Sequence, residues 1–409
     1  MAKILIIHPE GNIKNNPNLY AVAKLMVQQG YEVLVYSQYR PNIYQGDLFP
    51  GARFVYFGTT DKESLNIEKS FKDENIGFII GIDDFGIWKA WKLSKILSVP
   101  FAFLSYEILF DHELAIIGCR QDKKNKQRAK KACKHISFAI TQDETRCDLL
   151  SVEYGIPKDK IHLMPVANTG ACKVNRSDYF HSMFSIPREK HILLYMGWMD
   201  QQQERRMIGF THYLPKDWVI VAHSRYVYHS ESNDPCIGDK LFFSLDRPVE
   251  NIDEMGILLS GCDVGFCTYQ ASSDSIYTGD NIRYIGLSSG KTSTFLQYGI
   301  PVVVENMNIW DKIVEDKGIG LHLSSSSDFM RLDELIGESI RDKAIAFFNE
   351  NLDASRFALP IIEEIGKQMR VLSFSMINFW KYSCIMKKDR IFANVRKNVK
   401  KTLERICCK

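Results

Sequence analysis

The chain has 409 residues, 45% hydrophobic and 25% charged. This is the balance of an ordinary soluble globular protein with enough chain for two to three domains, and it excludes collagen, coiled coil and wholesale disorder. The net charge of +3 hides an asymmetry: Ser373–Lys409 holds ten Lys/Arg against Asp389 and Glu404, so it carries +8 and leaves −5 for the first 372 residues.

No stretch reaches the roughly 18 uninterrupted apolar residues of a spanning helix. The apolar run after Met1 stops at Pro9, too short for a signal peptide, so a cytoplasmic protein is expected. The ten cysteines are scattered, with no Cys-x-x-Cys and no zinc-ligand spacing, so free thiols are expected rather than disulfides or a metal centre.

The amino-terminal half alternates short apolar runs with helical patterns. Ile4–Ile7 reads as a buried strand, Asn16-Pro17 opens an amphipathic helix, and Gly30 closes it before a strand at Glu32–Tyr36. The alternation continues with strands at Arg53–Phe57, Phe78–Ile82, Phe101–Leu104, Ile136–Ile140 and Ile161–Met164, and with helices near Glu63–Lys72, Gly86–Leu97 and Glu144–Tyr154. Periodicity lapses around Asn168–Ser185. A second series then runs through strands at His191–Met196, Trp218–Ala222, Leu241–Ser244, Asp263–Thr268 and Val302–Glu305. Its helices are predicted at Arg205–Tyr213, Ile252–Ser260, Thr292–Tyr298 and Trp310–Asp316. Such alternation predicts an α/β protein of two doubly wound parallel sheets, with ligands at the carboxyl ends of the strands.

From Gly279 the sequence reads GDNIRYIGLSSGKTSTFLQYGIPVVVE. It combines a polar loop, a small-residue turn at Ser288-Ser289-Gly290 and Lys291 in the first turn of a helix. A helix amino terminus offers free N–H groups and a positive dipole end, to which Lys291 adds a full charge, a combination suited to a diphosphate.

This block resembles the donor-binding segment of bacterial glycosyltransferases with two Rossmann-like domains facing across a cleft, the GT-B fold, and in particular the family-4-like surface-polysaccharide group. Thr141–Arg146, Leu194–Gly197 and Asp253–Tyr269 agree with that family in the expected order. The resemblance implies a nucleoside-diphosphate sugar as co-substrate, with no other cofactor and no metal. It implies that Gly197, Asn281, Tyr284, Ser289, Gly290, Lys291 and Thr292 hold the nucleotide. It also implies that Lys291, with Arg205 or Arg206, stabilises the departing diphosphate, that Glu107 is the catalytic group of the first domain, and that Glu10, Gly11, Asn12 and Asp111 face the acceptor. Two departures stand out. Thr294 replaces the glutamate that many members place three residues after the lysine, and His223 replaces a family glycine; His223 is read first as a structural histidine.

The expected organisation is an acceptor domain over 1–172, a nucleotide-sugar domain over 173–355, a returning helix over 356–372 and a basic amphipathic helical tail over 373–409. In the tail Ile391, Val395, Val399 and Leu403 form an apolar stripe among cations. Arg120–Lys134 carries eight basic residues against Asp122 and leaves only Ala129, Ala132 and Cys133 for packing. Both segments are expected to meet an anionic membrane surface, on the inner face of the cell membrane. No nucleic-acid recognition module is present, so nucleic acid is not an expected partner. The expected function is transfer of a sugar to a glycan, in particular a lipid-linked one, with a sugar-nucleotide epimerase or a non-catalytic partner subunit as the alternatives.

Overall fold

The computed structural model describes residues 2–10, 13, 16–38, 49–224, 227–230, 236–245 and 255–369. The chain divides into two compact units, 1–361 and 362–409. The first carries two seven-stranded sheets. Of the second only 362–369 is described, and it is helical. The expected tail, Ser373–Lys409, lies outside the described residues, as do Gly11 and Asn12.

The first sheet is built from β1 (Lys3–His8), β2 (Glu32–Ser37), β3 (Ala52–Tyr56), β4 (Ile76–Ile82), β5 (Phe101–Leu104), β6 (Ala139–Thr141) and β7 (Ile161–Leu163). They lie in the order β3-β2-β1-β4-β5-β6-β7, all parallel. The helices between them are α1 (Pro17–Gln28), α2 (Asp61–Ser70), α3 (Asp83–Leu97), α4 (Asp111–Ile116), α5 (Arg120–Cys133) and α6 (Glu144–Tyr154). Ile4, Leu5, Ile6 and Ile7 have no exposed surface, because helices cover both faces of a parallel sheet and each side chain of the run is buried whichever way it points. α1 starts where Pro17 supplies a preset φ and the Asn16 side chain accepts the Leu19 N–H.

The second sheet contains β8 (His191–Gly197), β9 (Trp218–Ser224), β10 (Cys236–Ile237), β11 (Leu241–Ser244), β12 (Val264–Thr268), β13 (Val302–Glu305) and β14 (Gly320–His322). Their order is β10-β11-β9-β8-β12-β13-β14, with only the β10–β11 pair antiparallel. Its helices are α7 (Tyr179–Phe184), α8 (Gln201–Thr211), α9 (Met255–Ser260), α10 (Asp280–Arg283), α11 (Gly290–Gln297), α12 (Ile309–Asp316) and α13 (Glu338–Asn351). One core cluster packs Leu194, Val221, Phe295 and Trp310 on one face of this sheet, and a second packs Tyr195, Ile220, Phe266 and Phe329 on the other.

Three expectations are corrected here. The helix expected from Arg205 starts earlier: α8 begins at Gln201, because the Asp200 side chain caps it by accepting the Gln203 N–H at 2.8 Å. The aperiodic stretch before Ser185 contains α7, whose Phe180 is fully buried. The Arg120–Lys134 segment is a helix, but not one whose cations all face solvent. Lys126 is 2% exposed. It pairs with Glu153 at 3.2 Å, donates to the Leu109 carbonyl and lies over the Tyr154 ring. Lys130 pairs with Asp111, and Arg128 lies over Trp88. Lys126 joins Ala129, Ala132 and Cys133 on the packed face because a lysine stem can cross a core when a carboxylate waits at its far end.

Both sheets reverse their winding at one point, between β1 and β4 in the first and between β8 and β12 in the second. In open α/β sheets the crevice outside the strand ends at such a point is where ligands bind.

Candidate functional site

At the reversal point of the second sheet, β8 ends at Gly197 and β12 ends at Thr268, followed by Tyr269. Lys291, in the first turn of α11, reaches across these ends. Its Nζ lies 4.6 Å from the Tyr195 ring centre and 4.1 Å from that of Tyr269. Gly197 has φ +144°, a conformation open to glycine, and a Cβ there would stand 3.4 Å from the Lys291 Nζ. Among the described residues no carboxylate pairs with Lys291. Its pKa is pulled down to about 8, chiefly by burial and further by the nearby charge of Arg206.

Arg206 is the basic residue of α8 that turns into this region. It pairs with Glu305 at the end of β13 at 2.5 Å and donates to Thr268 Oγ1 at 2.7 Å, while Arg205 is exposed. Arg206 is thus held by a carboxylate, whereas Lys291 is held only by aromatic faces.

The start of α11 adds its own polarity. Ser289 caps it, accepting the Thr292 N–H and exchanging a hydrogen bond with the Tyr269 hydroxyl at 3.1 Å. A Cβ on Gly290 would meet Val166 at 3.3 Å and Pro17 at 3.4 Å. The amino termini of α1 and α11 therefore converge from the two halves, and both bring a positive dipole end. Thr292 points inward and is fully buried, its hydroxyl 2.7 Å from Ser289 Oγ.

The preceding residues do something else. Asn281, 2% exposed, accepts the Ile108 N–H at 3.0 Å and a bond from Arg146 Nη2 at 3.2 Å, and it donates to Glu107 and to the Tyr277 carbonyl. All its polar capacity is spent inside the protein. Arg146, from α6, also donates to the Tyr284 carbonyl at 3.1 Å, the Tyr106 carbonyl at 2.6 Å and Gln142 at 2.7 Å. Asp143 accepts the Leu287 N–H at 2.9 Å, and Glu113 accepts the Asp280 N–H at 2.7 Å. Tyr284 packs against the core of the first half. The resemblance implied that Asn281 and Tyr284 face a nucleotide. The structure places both in a polar seam joining the two halves.

Glu107 belongs to that seam. Burial pushes its carboxyl up to about 7 against the opposing pull of Arg146 and Asn281. Asp83 lies beside it, accepting the Tyr106 and Glu107 N–H groups, and its carboxyl is raised well above the usual range by burial and by Glu107. Glu10 is exposed just after β1 and its charge reaches Glu107. Asp111 is exposed on α4 and tied to Lys130. His112, Glu113 and Asp280 bring candidate metal-ligand atoms within 4.8 Å of one another, although Asp280 is also paired with Arg283. His223, at the end of β9, bonds Ser244 Oγ at 3.0 Å, and burial takes its pKa down to about 4.

Sequence reasoning missed Tyr195, Thr268, Tyr269 and Glu305. Each lies at or beside the carboxyl end of a second-sheet strand, and that position was the available signal. No helix among the described residues is long and apolar enough to cross a membrane.

No protein-family model matches the sequence, and no curated protein matches it. Solved structures do match its shape. Anabaena Alr3699/HepE in complex with UDP-glucose is 13% identical over 91% of this chain and all of that one, with a TM-score of 0.64. WaaG, a glycosyltransferase involved in lipopolysaccharide biosynthesis, is 11% identical over 88% of this chain and 99% of its own, with a TM-score of 0.60. The fold is that of the GT-B glycosyltransferases. A putative UDP-N-acetylglucosamine 2-epimerase from Listeria monocytogenes is also similar, at 13% identity and a TM-score of 0.51, with 85% of this chain and 94% of that one covered.

Proposed function

We propose that this protein is a glycosyltransferase that moves a sugar from a nucleoside diphosphate to a glycan acceptor, in particular a lipid-linked one, in surface polysaccharide synthesis. The observation that carries the reading is Lys291: a cation without a carboxylate partner among the described residues, set at a sheet reversal point beside Arg206 and the start of α11. Cations and helix dipoles are placed together at a cost unless an anion joins them. A diphosphate supplies that anion. Structural similarity to HepE, solved with UDP-glucose, and to WaaG supports the same reading.

In this mechanism the bond between the anomeric carbon and the phosphate oxygen breaks as the acceptor hydroxyl adds, the electron pair of the broken bond stays on the departing diphosphate, and the hydroxyl proton passes to a diphosphate oxygen or to water. Charge grows on the departing diphosphate, and Lys291 with the α11 amino terminus stabilises it, the kind of preorganised electrostatic effect that dominates many enzymes. Arg206 adds to the positive potential while anchored on Glu305. Glu107 accepts a hydrogen bond from Asn281 and belongs to the seam between the halves, and no step of the transfer is routed through it. The exposed cations of α5 and the tail over 373–409 would bring the enzyme to the anionic inner face of the membrane that carries a lipid-linked acceptor.

The test is incubation of the full chain with radiolabelled nucleotide sugars and bacterial membranes. Label passing into the lipid fraction is expected, together with a rise in melting temperature on adding the matching nucleoside diphosphate. Release of a 2-epimerised free sugar with no labelled lipid would overturn the transferase reading in favour of the epimerase.

A further inference from the structure

The seam between the halves holds one group of side chains whose hydrogen bonds do not account for it. His112 and Glu113 lie in the first turn of α4, and Asp280 opens α10. One ligand atom from each lies within 4.8 Å of the other two, and His112 Nε2 stands 3.4 Å from Asp280 Oδ2. None of the three belongs to the Lys291 site or takes part in the transfer described above.

Glu113 is the informative member. Its Oε1 accepts the Asp280 N–H at 2.7 Å, but its Oε2 is buried with no hydrogen-bond partner among the described residues. No described lysine or arginine pairs with it, whereas Arg283 pairs with Asp280 Oδ1 at 2.5 Å and Lys130 pairs with the neighbouring Asp111. Glu113 therefore carries the one uncompensated carboxylate charge of this group, and a buried oxygen left so is costly. The chain also makes room for it. A Cβ on Gly279 would lie 1.8 Å from Glu113 Oε1 and 3.3 Å from Oε2. Gly279 has φ −83°, so the approach of this carboxylate, and not a left-handed backbone, calls for glycine. The hydrogen bond to Asp280 explains one oxygen and leaves the other without a role.

We propose that His112, Glu113 and Asp280 together hold one divalent transition-metal cation across the seam. One imidazole nitrogen and two carboxylates suit zinc or manganese(II), and three protein ligands leave a position for water. Around a tetrahedral ion with bonds of about 2.0–2.2 Å, ligand atoms stand about 3.3–3.6 Å apart. His112 and Asp280 are already at that spacing, and the His112 side chain, 59% exposed, has freedom to turn toward Glu113. Glu113 Oε2 is the oxygen with lone pairs to spare. Two ligands come from the first half and one from the second, so the ion would fasten α4 to α10 and stabilise the folded chain by mass action. The proposal stands on these residues alone and is independent of the assignment of Lys291.

The experiment is calorimetric titration of the full chain, stripped with EDTA and dialysed, with zinc, manganese(II) and magnesium chlorides, alongside thermal melts. Zinc or manganese is expected to bind and to raise the melting temperature, and magnesium to bind at least tenfold more weakly than zinc, because an imidazole is a poor ligand for it. Thiols elsewhere in the chain can also take zinc, so the site is defined by the difference between native chain and variants. His112→Ala and Glu113→Gln should each weaken that binding tenfold or more and abolish the melting shift. Glu113→Gln keeps an oxygen for the Asp280 N–H. If it nevertheless fails to fold, the exposed His112→Ala carries the test. Arg283→Ala, which frees Asp280 Oδ1, should tighten binding. Failure of the native chain to bind zinc or manganese, or equal affinity in a folded His112→Ala, would overturn the proposal, whether or not a nucleotide binds.

Discussion

Asn281 and Lys291 stand ten residues apart in one polar block, and they have opposite fates. Asn281 fills every donor and acceptor position it has with partners across the seam. Lys291 meets two aromatic rings and a second cation, with no carboxylate among the described residues. A buried polar group that is fully satisfied builds structure, and one left short of partners is set for a ligand. The comparison can be attacked from either end.

The largest effect is expected at the seam. Arg146→Ala leaves the Glu107 carboxyl, the Asn281 amide and the Tyr106 and Tyr284 carbonyls short of a partner. Breaking a buried charged network of this kind costs about 3–5 kcal/mol. Chemical denaturation should show that loss. A change below about 1 kcal/mol would mean the seam does not hold the halves together.

Lys291→Ala comes next. Transfer should fall at least about a hundredfold, about 2.7 kcal/mol of barrier, since the charge it removes faces a developing anion. Stability should hold or rise, because the native chain carries this cation at a desolvation cost. Unchanged turnover by the folded variant would return Lys291 to the ordinary surface.

The sequence made one side of this comparison far more legible than the other. Strand and helix alternation located both sheets because apolar runs covered on both faces read directly as parallel strands. Lys291 stood out as a candidate because a cation at a helix amino terminus conflicts with the helix dipole and asks for an explanation. The partners Asn281 has in the fold were not legible, because Glu107 and Arg146 lie more than 130 residues away in sequence. Arg205 and Arg206 are equivalent in the sequence until the Asp200 cap starts α8 at Gln201, four residues before Arg205, which fixes the face each occupies. The seam depends on tertiary proximity, which no local pattern encodes.

A pH series sharpens the seam side. A carboxyl with a folded pKa above its unfolded value stabilises the folded chain below the unfolded value and loses that contribution as pH rises through the folded one. For Glu107 the window runs from about 4.5 to about 7, and Asp83 acts in the same direction. Stability should therefore decline as pH rises through this range. Glu107→Gln, which cannot ionise, should flatten the decline by on the order of 1 kcal/mol after allowing for solvent screening. An identical slope in the variant would assign the dependence to Asp83 or to other groups.

The smallest effect is expected at Arg205, and it tests whether the helix start at Asp200 was read correctly. α8 turns Arg206 toward Thr268 and Glu305 and leaves its neighbour exposed. Substitution at an exposed position away from caps and cores is worth about 0.5 kcal/mol or less, so Arg205→Ala should keep both melting temperature and transfer within about twofold. Arg206→Ala removes the ion partner of Glu305 and part of the positive potential beside Lys291, so it should weaken binding of a nucleoside diphosphate. The carboxylate it leaves unpaired would then repel the same anion. Pairing that variant with Glu305→Gln should recover part of the loss, because the repulsion is removed while the cation stays absent. If Arg205→Ala proves the more damaging of the two single variants, α8 presents its other face to the ligand, and Lys291 acts without the neighbour assigned to it.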